Sequence, residues 1–332
     1  MPRAPSRMLS AALLACLTVL PAAVADTVYV VSFTTGELVR YDSADPAGTK
    51  TVLSGSGSLV KPAALAVGPD GNLYIGEDGD GATFAPRISR FEPATLTLST
   101  LVAFGGFEVF PGSLAFKGND LLVGRNPFFG NTGPIVKVSN ATGGGIATTD
   151  YTSGGSLASS PGIALAADGR LYVADQTYTF ISGIASGPVK RFDAAGTYVG
   201  EVIASGSSGL SGPTGMALDG TMLYTASIMN GTVLRTNLAT DVTTAFASAG
   251  GPFEVGSLAI LADGSLLAGS PSGSGSIYRF GNDGTLLDTY ASGLGQIGGI
   301  AVVPEPHAAA FVMAGLAAIG GMAGRRPRGR RS

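Results

Sequence analysis

The residues best able to do chemistry in this chain are carboxylates. Glu77-Asp78-Gly79-Asp80-Gly81 places three acids in four positions, and hard oxygen ligands at alternate positions suit Ca²⁺. A calcium loop of the EF-hand kind starting at Asp78 needs a glutamate at position 89, where the chain has Ser89, so an acidic solvated turn is the competing reading. Glu77, Asp78 and Asp80 are therefore candidate metal ligands, with Ca²⁺ as the candidate ion. Glu77 and Asp175 are a second candidate pair, able to act as acid and base if they converge. Other chemistries are poorly supplied. The single histidine is His307 and the single cysteine is Cys16, which excludes a disulfide framework, a paired-cysteine metal cluster and a multi-histidine site.

Repetition supplies the elements that must position these acids. A four-residue pattern recurs around Ala66, Ala115, Ala164, Ala217, Ala259 and Ala301, at spacings of 49, 49, 53, 42 and 42 residues. After it comes a turn signal such as Asp70-Gly71, Asp168-Gly169, Asp219-Gly220 or Asp263-Gly264, then an apolar strand such as Leu73-Tyr74-Ile75 or Leu171-Tyr172-Val173. A third strand carries Arg90, Lys137, Arg191, Arg235 or Arg279, and a fourth closes the unit. This order predicts an all-β chain, a six-bladed β-propeller with four strands per blade. The first unit, from Val28 to Leu53, lacks an initial strand, and residues 298–303 are only an initial strand. Joined, they make the sixth blade and close the ring without a free edge. The predicted domain covers residues 26–303.

Glu77 and Asp175 then occupy equivalent positions, directly after the second strands of blades one and three. The loops that follow the second strands in blades one to three are long and carry aromatics. Glu77, Phe84, Arg125, Phe128, Phe129, Asp175, Tyr178 and Phe180 form the candidate ligand face, on the principle that variable loops on a rigid scaffold carry binding. The competing reading is that these aromatics pack beneath their own loops.

The ends carry addresses. Arg3 and Arg7, an apolar run from Met8 to Leu20 and Ala23-Val24-Ala25 before Asp26 have the layout of a signal peptide over residues 1–25. A lipoprotein reading of Leu13-Leu14-Ala15-Cys16 is disfavoured by the large Leu14. At the other end, Pro304-Glu305-Pro306 precedes an apolar stretch from Ala308 to Gly324, about 26 Å long as a helix, and then five arginines. A transmembrane helix is predicted there, with the arginines on the cytoplasmic side. An ordinary single-pass anchor behind a chance Pro-Glu-Pro is the alternative.

This tail, residues 304–332, resembles the PEP-CTERM sorting signal of Gram-negative bacteria that make exopolysaccharide. The resemblance implies that Pro304, Glu305 and Pro306 are recognised by an exosortase, a membrane protease-transpeptidase. It also implies transient anchoring in the inner membrane and delivery to the cell surface or extracellular matrix. There exopolysaccharide or a surface protein would be the partner.

The repeats, best seen from Pro161 to Asp193, resemble NHL-type repeats and SMP-30/gluconolactonase-like propellers. With no tryptophan, the chain does not match the WD40, kelch or quinoprotein patterns. Likeness to the lactonases implies a divalent metal held by Glu, Asn and Asp in Pro-Asn-Gly and Pro-Asp-Gly segments. This chain has Pro161-Gly162-Ile163 and Pro213-Thr214-Gly215 instead, which removes two ligands. Streptogramin-lyase-like propellers use a histidine base, and His307 lies in the tail. The expected function is thus a non-enzymatic binding protein, with a metal-dependent hydrolase as the alternative. Residues 26–306 hold 23 acids and 13 basic residues, a net charge of −10, which disfavours nucleic acid as a partner.

Overall fold

Apolar residues on both faces of a short strand leave it two neighbours to find, and the ring supplies both. The computed structural model describes residues 25–80, 85–106, 109–126, 132–179, 183–184 and 186–304. They form six four-stranded antiparallel sheets, as the repeat predicts. From the axis outwards, blade one comprises Pro62–Val67, Leu73–Glu77, Arg87–Glu92 and Thr97–Ala103. Blade two comprises Pro111–Lys117, Asp120–Arg125, Val136–Ser139 and Ala147–Asp150. Blade three comprises Gly162–Leu165, Leu171–Ala174, Val189–Phe192 and Tyr198–Ile203. Blades four and five run from Pro213 to Ser248 and from Ser257 to Ala291. Blade six joins the first and last strands of the propeller: Ile297–Val303 is its innermost strand, followed by Thr27–Ser32, Leu38–Asp42 and Thr51–Ser54.

Six apolar clusters hold the blades, one between each neighbouring pair. Because successive strand residues point to opposite faces, one strand serves two clusters. Leu73 and Ile75 pack towards blade six with Tyr29, Val31 and Leu38, while Tyr74 between them packs towards blade two with Leu121 and Val123. The middle of the second strand of blade one is therefore apolar on both faces, with Leu73, Tyr74 and Ile75 all fully buried. The repeated Asp and Arg also meet: Arg90 pairs with Asp70 at 3.4 Å, and Arg279 with Asp263 at 2.5 Å. In blade three the arginine reaches forward, Arg191 to Asp241 of the next blade at 2.9 Å.

Closure is a backbone ladder. Thr27 pairs with Val303 and Val31 with Gly299, so chain ends some 270 residues apart hydrogen-bond as neighbours. Asp26 reinforces it, its Oδ2 accepting from the Ala262 N–H of blade five at 2.6 Å. Near the axis the blades approach so closely that a β-carbon on Gly162 would overlap the Thr214 carbonyl, and one on Gly298 the Pro62 carbonyl.

Two small elements add to the repeat: a helix at Pro46–Thr49 capped by Asp45, and a two-stranded ribbon, Tyr178–Thr179 with Gly183–Ile184. Among the described residues no helix is long and apolar enough to cross a membrane. The predicted signal peptide and transmembrane helix lie outside the described residues, as do Glu305 and Pro306.

Two outcomes are expected. Deleting residues 297–303 leaves blade six without its inner strand and abolishes cooperative thermal unfolding, read by circular dichroism. Gly162→Ala, which forces backbone apart at the axis, lowers stability by about 2–3 kcal/mol in denaturant titration.

Candidate functional site

In blades one, three, four and five the residue that ends or directly follows the second strand holds the connection arriving from the previous blade. Glu77 is fully buried, and its carboxylate accepts from the Val60 N–H at 2.6 Å, from Arg87 at 2.8 and 2.9 Å, and from the Ser89 hydroxyl. Asp175 accepts from the Ala158 N–H at 2.7 Å and pairs with Lys190 at 2.6 Å. In blade four Ser227 Oγ accepts from the Ser211 N–H at 2.8 Å, and in blade five Ser270 Oγ donates to the Phe253 carbonyl at 3.1 Å. Arg125 fills the position in blade two, its backbone N–H bonded to Ser160 Oγ at 2.7 Å and its Nε to the Pro134 carbonyl at 2.9 Å.

The equivalence of Glu77 and Asp175 read from the repeat is thus an equivalence of blade joints. Each acid is matched by a cation from the third strand of its own blade, and neither lines the axial cavity. Asp175 and Lys190 instead border a cleft between blades two and three, along with Gly133, Thr152 and Ser156.

Glu77, Asp78 and Asp80 do not come together as a metal site. Among the described residues no group of three or more His, Cys, Asp or Glu side chains is placed to hold an ion. The physical reason is that Glu77 is engaged by Arg87 while Asp78 turns to blade two, where Asn126 Nδ2 donates to its Oδ2 at 3.0 Å. Of the candidate ligand face, Phe84, Phe128, Phe129 and Phe180 lie outside the described residues, and only the backbone of Tyr178 is described.

One position further along, the chain reaches the axis. Phe33, Asp78, Asn126, Gln176, Ile228 and Pro271 occupy one register position in blades six, one, two, three, four and five. Five of the six line a cavity of about 340 Å³ at the centre of the ring, and Asp78 joins them through Asn126. The cavity is walled below by the innermost strands of all six blades, with glycines such as Gly112, Gly162 and Gly215 at its surface. No charged side chain lines it among the described residues.

Phe253, from the connection between blades four and five, joins this mouth with its side chain partly exposed, at 38%. It is held at φ 63°, a left-handed backbone that costs a non-glycine residue of order 1–3 kcal/mol. Its N–H donates to the Ile228 carbonyl at 2.7 Å and its carbonyl accepts from Ser270 and Ser272, so the surroundings impose the conformation. Only Asp78 of this ring belonged to the sequence-derived candidates. A column alignment of the six repeats would have found the rest, because they share one repeat position.

Asp78 is the perturbed acid of the site. Burial pushes its carboxyl up to about 7, against the opposing pull of the Lys61 charge and the Asn126 hydrogen bond. Its Oδ1 is buried without a hydrogen-bond partner.

These features define a six-bladed β-propeller with a neutral axial cavity, polar on one side and apolar on the other. Among solved structures the chain is similar to one described as "Crystal structure of Nidogen/Laminin Complex", with a TM-score of 0.65 and 13% identity, over 84% of this chain and 98% of that one. At that identity the likeness concerns the fold. No family model matches the chain, and no curated protein matches it.

The Asp78 carboxyl sets a pH dependence. Between the ordinary value near 4 and about 7, the folded chain keeps a proton that the unfolded chain releases, so stability falls as pH rises through that window. Asp78→Asn, which keeps the shape and removes the charge, is expected to be more stable than the parent at pH 8 by about 1–3 kcal/mol. The gain should vanish towards pH 4, as checked by urea titrations at both values.

Proposed function

We propose that this chain is an exported binding protein, sorted to the surface or matrix, that takes its ligand at the axial mouth and does no chemistry on it. The observation that carries this reading is the mouth itself. Side chains from all six blades converge on one cavity, and one of them is held there at the expense of backbone strain. A nucleophilic or acid–base mechanism needs a reactive group hydrogen-bonded to its base. The Ser113 and Thr214 hydroxyls in the wall are instead spent on backbone carbonyls, Ser160 at 2.7 Å and Gly256 at 3.0 Å.

The sorting half of the proposal rests on the tail. Pro304-Glu305-Pro306 follows directly on the strand that closes the ring, and the apolar segment and arginines follow in order. In this reading an exosortase cuts at that motif after the segment has lodged in the inner membrane. The released propeller then meets exopolysaccharide or a surface protein.

Two experiments test the proposal. The full chain expressed in a Gram-negative host with an exosortase is expected to leave the membrane fraction as a shortened form. Replacing Pro304, Glu305 and Pro306 with alanine should keep it there at full length; equal release of both forms would overturn the sorting assignment. For the binding role, residues 26–303 melted in EDTA and with excess Ca²⁺, Mg²⁺, Mn²⁺ or Zn²⁺ are expected to show one midpoint. A metal-dependent hydrolase would shift by several degrees with its ion, since a ligand at a hundred times its Kd contributes about 2.7 kcal/mol.

A further inference from the structure

We infer that the axial mouth recognises the terminal sugar of an uncharged glycan, an inference that rests on the mouth being the ligand site. The mouth is divided by blade. Asp78, Asn126 and Gln176, from three consecutive blades, make a polar arc; Ile228, Pro271 and Phe33, from the other three, make an apolar one. Phe253 extends the apolar arc with a ring that its strained backbone holds at the mouth.

The polar arc has capacity to spare. Gln176 is only 1% exposed, and its Nε2 makes a long hydrogen bond of 3.3 Å to the Pro213 carbonyl. Asp78 Oδ1 is unpartnered next to Asn126, and Ser257 Oγ in the cavity wall has no partner either. Buried polar groups normally find partners, so such a set points to a ligand that brings hydroxyls.

Among the described residues the cavity lining offers no counter-charge, and a formally charged ligand would lose its hydration there without compensation. A neutral molecule is favoured, polar along one edge and apolar on the other face. A sugar ring has that form: adjacent hydroxyls meet the donor and acceptor of one carboxamide, and its C–H face lies on apolar and aromatic side chains. A cavity of about 340 Å³ is at the smaller end of small-molecule sites. Because side chains surround the axis on all sides, a chain would enter by its end.

The test uses residues 26–303 and saturation-transfer NMR with glucose, N-acetylglucosamine and maltotetraose as neutral probes. Glucuronate and glucosamine serve as charged counterparts, and benzamide as a neutral amphipath that is not a sugar. At least one neutral sugar is expected to bind, with the charged counterparts at least tenfold weaker. Gln176→Ala and Phe253→Ala should each weaken the neutral sugar about tenfold, and Thr149→Ala on an outer strand should leave it unchanged. Gln176→Glu, close in shape, should weaken the neutral sugar and bring glucosamine up, which keeps the test decisive if an alanine variant fails to melt cooperatively. Charged probes matching the neutral ones, or sugar binding that ignores the mouth variants, would overturn the glycan assignment. Benzamide bound at the mouth with no sugar bound would overturn it too, while leaving the mouth as a ligand site. Silence from every probe would remove both readings.

Discussion

The second strand of each sheet in this protein is buried on both faces, and what covers those faces is the neighbouring sheets. Tyr74 packs towards blade two while Leu73 and Ile75 pack towards blade six, and the same division recurs through the six clusters. No blade is stable in that arrangement without two neighbours. The array must therefore close on itself, and the ladder between Thr27–Ser32 and Ile297–Val303 is the step that completes it. Close approach at the axis follows from the same demand. Gly162 and Gly298 stand where a β-carbon would meet the backbone of the next blade, so the residues that let the ring tighten also pave the cavity wall.

The site inherits its symmetry from this construction and its chemistry from departures within it. Two adjacent repeat positions divide the labour. In four blades the first holds the connection from the previous blade, through Glu77 to the Val60 N–H, Asp175 to the Ala158 N–H, or the hydroxyls of Ser227 and Ser270. The second faces the axis, and there the six blades diverge into carboxamides and a carboxyl on one side and apolar side chains on the other. One repeat position thus places different side chains around one cavity, five of them in its lining, which is how a repeated scaffold acquires a single non-repeating site.

Asp78 shows how finely the two positions are separated. Its neighbour Glu77 is fully buried yet matched by a guanidinium, one backbone N–H and a hydroxyl. Asp78 is nearly as buried and has one amide partner, with Lys61 acting only at a distance. Desolvation then dominates and pushes the carboxyl up to about 7. Two consecutive acids in the sequence become an ion-paired brace and a desolvated carboxyl beside the mouth.

The sequence by itself determined the propeller. Strand order, the number of units and the closure by both ends are local matters of apolar alternation, Asp-Gly turns and spacing, and every unit repeats them. Ala66, Ala164 and Ala301 could be placed in equivalent strands without knowing any contact between them. What only the tertiary structure decided was which way each acid turned. Three carboxylates in four positions look like an ion site when their spacing is the only guide. Arg87 lies ten residues from Glu77 and Asn126 lies 48 residues from Asp78, and these partners draw the first two acids apart. The mouth was hidden for the same reason. Phe33, Asn126, Gln176, Ile228 and Pro271 share a repeat position, but nothing along the chain says that this position faces one cavity or that Phe253 joins it, because their nearness is set by rotation about an axis that exists only once the ring has closed.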